Sequence, residues 1–368
     1  MAKRGAHIDK PLALLIFTLL IGGGMIFASA AFGYLARGNS NVSSVVFNHL
    51  VLGAGIGVVA LIITSIVDYR VWRRFAPFLF VLSLIATALV FLPQIGVTHG
   101  GGRRWIELAG ISFQPAEAMK LGTVIMAAAY FSAIRARIQS IAHTVGGLVT
   151  ILALPSVLLV LQPDIGTLGI VTLGALAIFL TAGVPWKHVA IIFCIVPLVL
   201  GTIIMTKPYV RDRVVTFFYP AQNQQAEGYQ IRQSLIAIGS GGFAGRGFGQ
   251  GVQKFTYLPE PMGDSIFAVA AEELGFIGSV SIVALFLAFA LRGFTVASRA
   301  PDMFGVLLGV GISAYLASEA FINIASMLGM APLTGIPLTF ISQGGSAMLF
   351  SLLSAGILLN ISKHSTVR

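Results

Sequence analysis

The residues best suited to chemistry are carboxylates and cations that lie beside long apolar stretches. Asp264 follows Glu260 directly before one such stretch, and Asp164 precedes another. Glu117 and Lys120 stand three residues apart near the start of a third, a spacing that places them on one helix face. Because charged groups are costly to place in a bilayer, their positions predict a functional site.

Together these residue types suit the transfer of a sugar from a phosphate-linked donor. A carboxylate can take the proton of an acceptor hydroxyl, and positive groups can stabilise the departing phosphate. Arginine binds phosphate through paired hydrogen bonds. We therefore take Asp264 as the candidate catalytic base. The candidate substrate-binding residues are Arg104, Gln114, Glu117, Lys120, Asp164, Arg213, Glu260, Gln343 and Ser346.

Several of these residues also have a purely structural interpretation. Glu117 and Lys120 can form an ion pair, and Asp164 and Asp264 can each cap a helix start, worth about 1 kcal/mol. Gly344 and Gly345, next to Ser346, can serve close packing of helices. One residue alone does not decide between these interpretations, but the gathering of all of them at one face of the membrane favours a site.

Transmembrane helices are the elements that must position these residues. The chain is 57% hydrophobic and 10% charged, with a mean hydropathy of +0.92. A bilayer core of ~30 Å takes roughly 20 apolar residues to cross as a helix. We predict an all-α polytopic membrane protein with about ten transmembrane helices. The spans lie near 12–32, 46–67, 75–93, 116–134, 144–161, 166–183, 187–206, 264–291, 303–328 and 341–361.

The distribution of Lys and Arg predicts how the helices are oriented. With the N-terminus inside, thirteen of these cations lie in the inner segments, whereas the short outer loops hold Arg37, Arg103 and Arg104. The positive-inside rule then places both termini in the cytoplasm. The long loop 207–263, between helices seven and eight, is extracytoplasmic. The whole chain, 1–368, is expected to form a single transmembrane domain, with the candidate residues at its outer face. Glu272 and Glu273, deeper in the same span as Asp264, are grouped with them.

A site at the outer face has no access to ATP, so its substrate must arrive already activated. A sugar linked to a polyprenyl pyrophosphate meets this requirement, because the tail stays in lipid and the pyrophosphate is the leaving group. Nucleic acid is not an expected partner, since the net charge of +10 comes largely from short loops. The seven glycines between Gly239 and Gly251 predict a flexible segment that permits close approach, and they lack the Lys-Ser/Thr ending of a phosphate-binding loop.

A series of short motifs resembles the SEDS family, and the resemblance runs in order through nearly the whole chain. The family includes RodA proteins of elongation and FtsW proteins of division. The residues from Gln253 to Tyr257 look more like the division branch. The matching motifs are GRRWI (102–106), FQPAE (113–117), QPDIGT (162–167), GYQIRQS (228–234), YLPE (257–260), DSIFAV (264–269), EELG (272–275), GIP (335–337) and GGS (344–346).

The resemblance implies a peptidoglycan glycosyltransferase in the bacterial cytoplasmic membrane. It would polymerise lipid II together with a class B penicillin-binding protein and other divisome or elongasome proteins. Asp264 matches the family's essential aspartate. A divalent cation, Mg²⁺ or Mn²⁺, is also implied. Since the six histidines are scattered, its candidate ligands are the carboxylates of Asp264, Glu117 and Asp164.

Two positions depart from the family pattern. Met262 and Gly263 replace the usual His-Thr before the aspartate, and Gln343 replaces an aromatic residue before Gly-Gly-Ser. Neither change removes a charge that the mechanism needs, but both bear on acceptor positioning. The competing interpretations are a lipid II flippase, a noncatalytic division scaffold and a RodA-type elongation polymerase.

Overall fold

The computed structural model describes residues 8–36, 42–99, 102–108, 111–219 and 227–365. The predicted cations Lys3, Arg4, Arg37 and Arg368 lie outside these residues. The α-helices are α1 (Lys10–Ala36), α2 (Val42–Phe47), α3 (Ile56–Ile66), α4 (Arg70–Leu89), α5 (Pro115–Ala133), α6 (Ile141–Leu161), α7 (Ile165–Thr181) and α8 (Trp186–Thr206), then α9 (Pro208–Phe218), α10 (Glu227–Ser240), α11 (Gln253–Thr256), α12 (Ile266–Ser298), α13 (Met303–Met327) and α14 (Gly345–Lys363).

Helices occupy all ten predicted spans, and the polytopic membrane architecture is confirmed. Within the described ranges, eight helices are long and apolar enough to cross a membrane. The other two predicted spans are the apolar α7, which has 17 residues, and α5, whose first turns carry Glu117 and Lys120. Span two is composite, because a π-helical segment, Asn48–Gly55, joins α2 to α3.

A small antiparallel sheet is an element that the sequence analysis did not predict. It contains β1 (Gly96–His99), β2 (Gly102–Leu108) and β3 (Ile111–Phe113), with β2 in the centre. The sheet fills the connection between α4 and α5 and carries Arg104. Short strands with irregular pairing leave little periodicity to detect, which explains why composition did not reveal them.

Helix α13 lies at the centre of the bundle, where it packs against α5, α7, α12 and α14. Small residues allow these helices to approach closely. An added Cβ at Gly309 would lie 2.8 Å from the Cβ of Ala297, and one at Gly311 would lie 2.6 Å from Cδ1 of Ile178. Such contacts are the usual means of helix association in membranes. Helix α8, by contrast, has most of its surface exposed.

Polar contacts gather at two opposite ends of the bundle. At one end Nε and Nη2 of Arg292 donate to the two carboxylate oxygens of Asp9. At the same end Tyr69 and Arg70 donate to Asp302. The other end holds the sheet, helices α9 to α11 and the turn that contains Asp264. The candidate site therefore lies at the end opposite the predicted cytoplasmic termini.

Candidate functional site

Asp264 lies in a turn just before α12, where two amide side chains hold it. Nε2 of Gln230 donates to Oδ1 of Asp264 at 3.0 Å and to the hydroxyl of Ser265 at 2.9 Å. Nδ2 of Asn323 donates to the backbone oxygen of Asp264 at 2.8 Å. The residue is partly exposed. Its carboxylate is thus fixed in position, in a residue that is partly open to solvent.

Burial and a neighbouring negative charge make Asp264 a weaker acid than usual. Desolvation acts first, and the charge of Glu260 second, to raise the pKa of Asp264 to about 6. The hydrogen bond from Gln230 and the charge of Arg213 act in the opposite direction. A pKa near the working pH suits a general base, because the group is ionised at neutral pH and still accepts a proton readily.

The turn that carries the two carboxylates has a strained backbone. Glu260 has φ 44°, in the left-handed region that side chains other than glycine seldom occupy. Its Oε2 accepts a hydrogen bond from the hydroxyl of Tyr34 at 3.4 Å. The backbone N–H of Gln343 donates to the carbonyl of Met262 at 2.7 Å. Gln343 and Glu260 therefore flank the turn that carries Asp264, and substrate binding by Gln343 stays a prediction.

A second group of predicted residues surrounds Asp164 at the start of α7. Asp164 caps this helix, since Oδ1 accepts from the N–H of Thr167 at 3.2 Å. Nε2 of Gln114 donates to Oδ2 of Asp164 at 3.4 Å, and the N–H of Gln114 donates to the hydroxyl of Ser346 at 3.1 Å. The capping interpretation of Asp164 is therefore correct, and these contacts join the starts of α5, α7 and α14.

Arg104 lies over the same turn. Its Nε donates to the carbonyl of Gln162 at 3.2 Å, and its Nη2 donates to the carbonyl of Pro163. These carbonyls lie at the C-terminal end of α6, where a cation is favoured by the helix dipole. Arg104 thus anchors the sheet to the bundle as well as carrying charge into the site.

Helix α9 connects the two groups. Arg213 on this helix donates from Nη1 to the carbonyl of Thr334 at 3.3 Å, and its charge acts on Asp264. Tyr209, one turn earlier, lies within the electrostatic influence of Arg104, Arg213 and Asp164. Helix α9 thus carries residues that lie near the candidate base and residues that lie near the Asp164 group.

The charges on α5 are locked in a buried network with α13. Nζ of Lys120 lies 2.8 Å from Oε2 of Glu117 and also forms an ion pair with Glu319. All three side chains are at most 3% exposed, and the hydroxyl of Thr339 donates to Oε2 of Glu319 at 3.4 Å. These contacts favour the ion-pair interpretation of Glu117 and Lys120. Direct substrate contact by either residue remains a prediction.

Glu272 and Glu273 do not face Asp264, although the sequence analysis grouped them by depth with the site. Oε1 of Glu272 accepts from the N–H of Val252 at 2.8 Å, and Oε1 of Glu273 accepts from Nζ of Lys254 at 2.5 Å. Oε2 of Glu273 also accepts from the N–H of Gly249 at 3.0 Å, and Oε1 of Glu272 accepts from the hydroxyl of Ser240 at 3.5 Å. Both carboxylates therefore hold the segment 239–251, named here the glycine-rich segment. That segment is therefore pinned to α12.

The three candidate metal ligands do not form one cluster. No group of three or more His, Cys, Asp or Glu side chains in the described part of the chain is placed to hold a metal ion. Glu117 is already paired with Lys120, and Asp164 caps α7. The mutual repulsion of Asp264 and Glu260 instead marks these two carboxylates as a place where a cation would be favoured.

Sequence reasoning missed Gln230, Asn323 and Tyr209. Gln230 lies in the GYQIRQS motif, so its position in the motif was a usable signal. Asn323 is an amide inside an otherwise apolar helix, which is also a signal because buried amides need partners. Tyr209 follows Pro208 in the long loop, where nothing in the sequence distinguished it.

Known proteins are similar to this chain in sequence and in fold. The model of the FtsW/RodA/SpoVE "cell cycle protein" family matches residues 11–367. Stage V sporulation protein E of Bacillus subtilis is 36% identical over 96% of this chain and 97% of its own. The probable peptidoglycan glycosyltransferase FtsW of Trichlorobacter lovleyi is 35% identical over 98% of this chain and 94% of its own.

Two solved structures have a similar fold at 24% identity. One is a chain from the structure described as "Structural coordination of polymerization and crosslinking by a peptidoglycan synthase complex", with a TM-score of 0.76 over 96% of this chain and 97% of that one. The other is the crystal structure of the Thermus thermophilus rod shape determining protein RodA, with a TM-score of 0.68 over 98% of both chains.

Proposed function

Because the chain belongs to the FtsW/RodA/SpoVE family of cell cycle proteins, we propose that it is a peptidoglycan glycosyltransferase. It polymerises lipid II into glycan strands at the outer face of the bacterial cytoplasmic membrane. The observation that carries the proposal is the environment of Asp264. This residue is partly exposed, its carboxylate is oriented by Gln230, and its pKa is raised to about 6.

In the proposed reaction Asp264 is the general base. The hydroxyl of the acceptor sugar loses its proton to Asp264, and the hydroxyl oxygen bonds to the anomeric carbon of the donor. The bond between that carbon and the pyrophosphate oxygen breaks, and the lipid pyrophosphate leaves with the electron pair. Gln230 occupies Oδ1 of Asp264, which leaves Oδ2 for the acceptor hydroxyl. Arg213 lies near enough to stabilise the negative charge of the leaving group.

A divalent cation, Mg²⁺ or Mn²⁺, fits this site at Asp264 and Glu260. Mg²⁺ is commonly held by one or two carboxylates together with substrate phosphate oxygens, so a complete set of protein ligands is not required. When bound, the cation would neutralise charge on the pyrophosphate. The residues of this chain would hold it and would keep the acceptor hydroxyl beside Asp264.

We further propose that the enzyme acts with a class B penicillin-binding protein in septal synthesis. One similar structure belongs to a peptidoglycan synthase complex, and several relatives are named FtsW. The alternative is a role in elongation, which the fold shared with RodA leaves open.

Polymerisation of labelled lipid II by the purified protein tests the proposal. With the partner transpeptidase and Mg²⁺ or Mn²⁺ present, the wild-type protein should form glycan strands. Asp264→Ala should lower the rate by about 10²- to 10⁴-fold, which is the usual contribution of a general base. Asp68→Ala, at the opposite end of the bundle, is the matched control.

Normal polymerisation by Asp264→Ala would contradict the role of the base, and transport of lipid II without polymer would favour the flippase interpretation. The same variants in cells separate the two physiological roles. Loss of a division polymerase should give filaments, whereas loss of an elongation polymerase should give rounded cells.

A further inference from the structure

The hydroxyl of Tyr209 is a buried polar group that the proposed reaction does not yet use. Its oxygen is inaccessible to solvent and has no hydrogen-bond partner among the described residues. An unsatisfied buried hydroxyl destabilises a fold, so a fold that retains one needs a reason. A ligand that accepts a hydrogen bond at this place would supply that reason.

The charges around Tyr209 indicate which ligand fits. Arg104, Arg213 and Asp164 are all near enough to act on its hydroxyl. The carboxylate of Asp164 already accepts from Thr167 and Gln114, so its charge is partly satisfied. The remaining balance is positive, which favours an anion.

The hydrogen-bond donors of this group are also partly unused. Nε and Nη2 of Arg104 donate to the carbonyls of Gln162 and Pro163. Its Nη1 makes no hydrogen bond within the described ranges. A phosphate oxygen accepts hydrogen bonds and cannot donate them when ionised. Two arginines close to a phenol hydroxyl therefore match the oxygens of a phosphate or pyrophosphate.

We propose that Tyr209, Arg104 and Arg213 form a phosphate-binding subsite in which the Tyr209 hydroxyl donates to the pyrophosphate of the lipid-linked sugar donor. This inference rests on the proposed function. The charge of Arg213 acts on both Tyr209 and Asp264, so the subsite and the base lie near the same guanidinium group. Such an arrangement places the leaving group of the donor beside the acceptor hydroxyl, which is the geometry that transfer requires.

Tyr209→Phe tests the subsite, since it removes only one oxygen atom. We expect the affinity for undecaprenyl pyrophosphate to fall about tenfold, as for the loss of a hydrogen bond to a charged group. The KM for lipid II should rise by a similar factor, whereas kcat should change less than threefold. Tyr219→Phe, at the exposed C-terminal end of α9, is the matched control and should bind like the wild-type protein.

Three ligands distinguish the sources of the phosphate. Undecaprenyl pyrophosphate and inorganic pyrophosphate should both lose affinity for Tyr209→Phe, because both carry the group that the hydroxyl binds, whereas binding to phosphatidylglycerol vesicles should change much less. An equal loss with the vesicles would assign the subsite to a lipid headgroup and overturn the inference. An unchanged affinity for undecaprenyl pyrophosphate would also overturn it.

A failure of Tyr209→Phe to fold would likewise overturn the inference, because it would show that the protein itself satisfies the hydroxyl. Failure of the underlying function is a separate outcome. If the wild-type protein forms no glycan strands, the proposed function fails. If it forms strands and Tyr209→Phe forms them with an unchanged KM, only the subsite fails.

Discussion

Two amides that are distant in the chain hold Asp264 in place. Gln230, on α10, binds its carboxylate, and Asn323, on α13, binds its backbone. The amide of Gln230 donates to the ionised form of Asp264 and therefore stabilises it. Gln230 is thus a positioning residue that also tunes the proton affinity of the base.

Gln230→Ala should move the acid limb of the activity profile to higher pH. Asp264 acts as a base only when ionised, so activity should rise as the pH passes its pKa of about 6. Loss of the hydrogen bond should raise this pKa, and the midpoint of the limb should move upward by about 0.5–1 pH unit. Lipid II polymerisation measured from pH 5 to pH 9 is the test.

The expected result is a loss of activity near pH 6 that largely recovers near pH 8. Gln250→Ala, an exposed glutamine of the glycine-rich segment, is the control and should leave the profile unchanged. An equal loss at every pH would show that Gln230 supports only the fold.

Sequence could identify the chemical groups of the site better than their partners. Asp264 and Glu260 were recognisable because carboxylates are rare beside apolar spans. The contact of Asp264 with Asn323 spans 59 residues and depends on how α13 packs, so no local pattern predicts it. The pairing of Glu319 with Lys120 could not be predicted for the same reason, because it depends on how α13 packs against α5.

The main feature at the scale of elements is a break in α12 at Gly275. This residue has φ 67° and ψ −163°, which no helix contains. The carbonyls of Glu272 and Glu273 accept from Arg246 and Gly247 of the glycine-rich segment, each at 3.0 Å. The backbone hydrogen bonds that the helix loses at the break are thus replaced by hydrogen bonds to that segment, because buried backbone groups need partners.

Gly275→Ala should destabilise the protein. A Cβ at this position would lie 2.2 Å from the backbone nitrogen of Gly245, and the positive φ adds strain for any other residue. We expect a loss of about 2 kcal/mol or more in stability, measured as a lower Tm of the detergent-solubilised protein.

The matched control is Gly201→Ala in α8, where a Cβ would meet no atom within 4 Å. That change should leave Tm the same or raise it slightly, because alanine favours the helix. Equal Tm values for the two variants would show that the break at Gly275 does not contribute to stability.

The sequence predicted the glycines but not their arrangement. Seven glycines in thirteen residues indicated a flexible segment that permits close approach. Close approach is confirmed, since a Cβ at Gly241 would lie 2.2 Å from the carbonyl of Ala271. The buried carboxylates that pin the segment were assigned to the polar site instead, because their direction depends on the break at Gly275.

At the scale of the whole molecule, the bundle has two polar ends with different contents. Asp9, Arg292 and Asp302 tie the predicted cytoplasmic end together through ion pairs. The opposite end carries the sheet, helices α9 to α11 and Asp264. Most helix boundaries were predictable to within a few residues because hydropathy follows the apolar bilayer, as the agreement of 303–328 with Met303–Met327 illustrates. The exception is α12, which continues to Ser298 although the predicted span ends at 291. The arrangement of the residues at the outer end depends on packing and was not predictable from the sequence.

Labelling of single cysteines tests which end faces outward. Cys194 is the only cysteine and is exposed on α8, so Cys194→Ala provides the background. Gln250→Cys lies in the glycine-rich segment, and Ala136→Cys lies in the exposed turn Arg135–Arg137 between α5 and α6. A membrane-impermeant maleimide should label position 250 in intact cells and position 136 only after permeabilisation, because the positive-inside rule places Arg135 and Arg137 in the cytoplasm. The reverse pattern would turn Asp264 toward the cytoplasm, away from the outer leaflet, and the proposed polymerisation of lipid II there would be impossible.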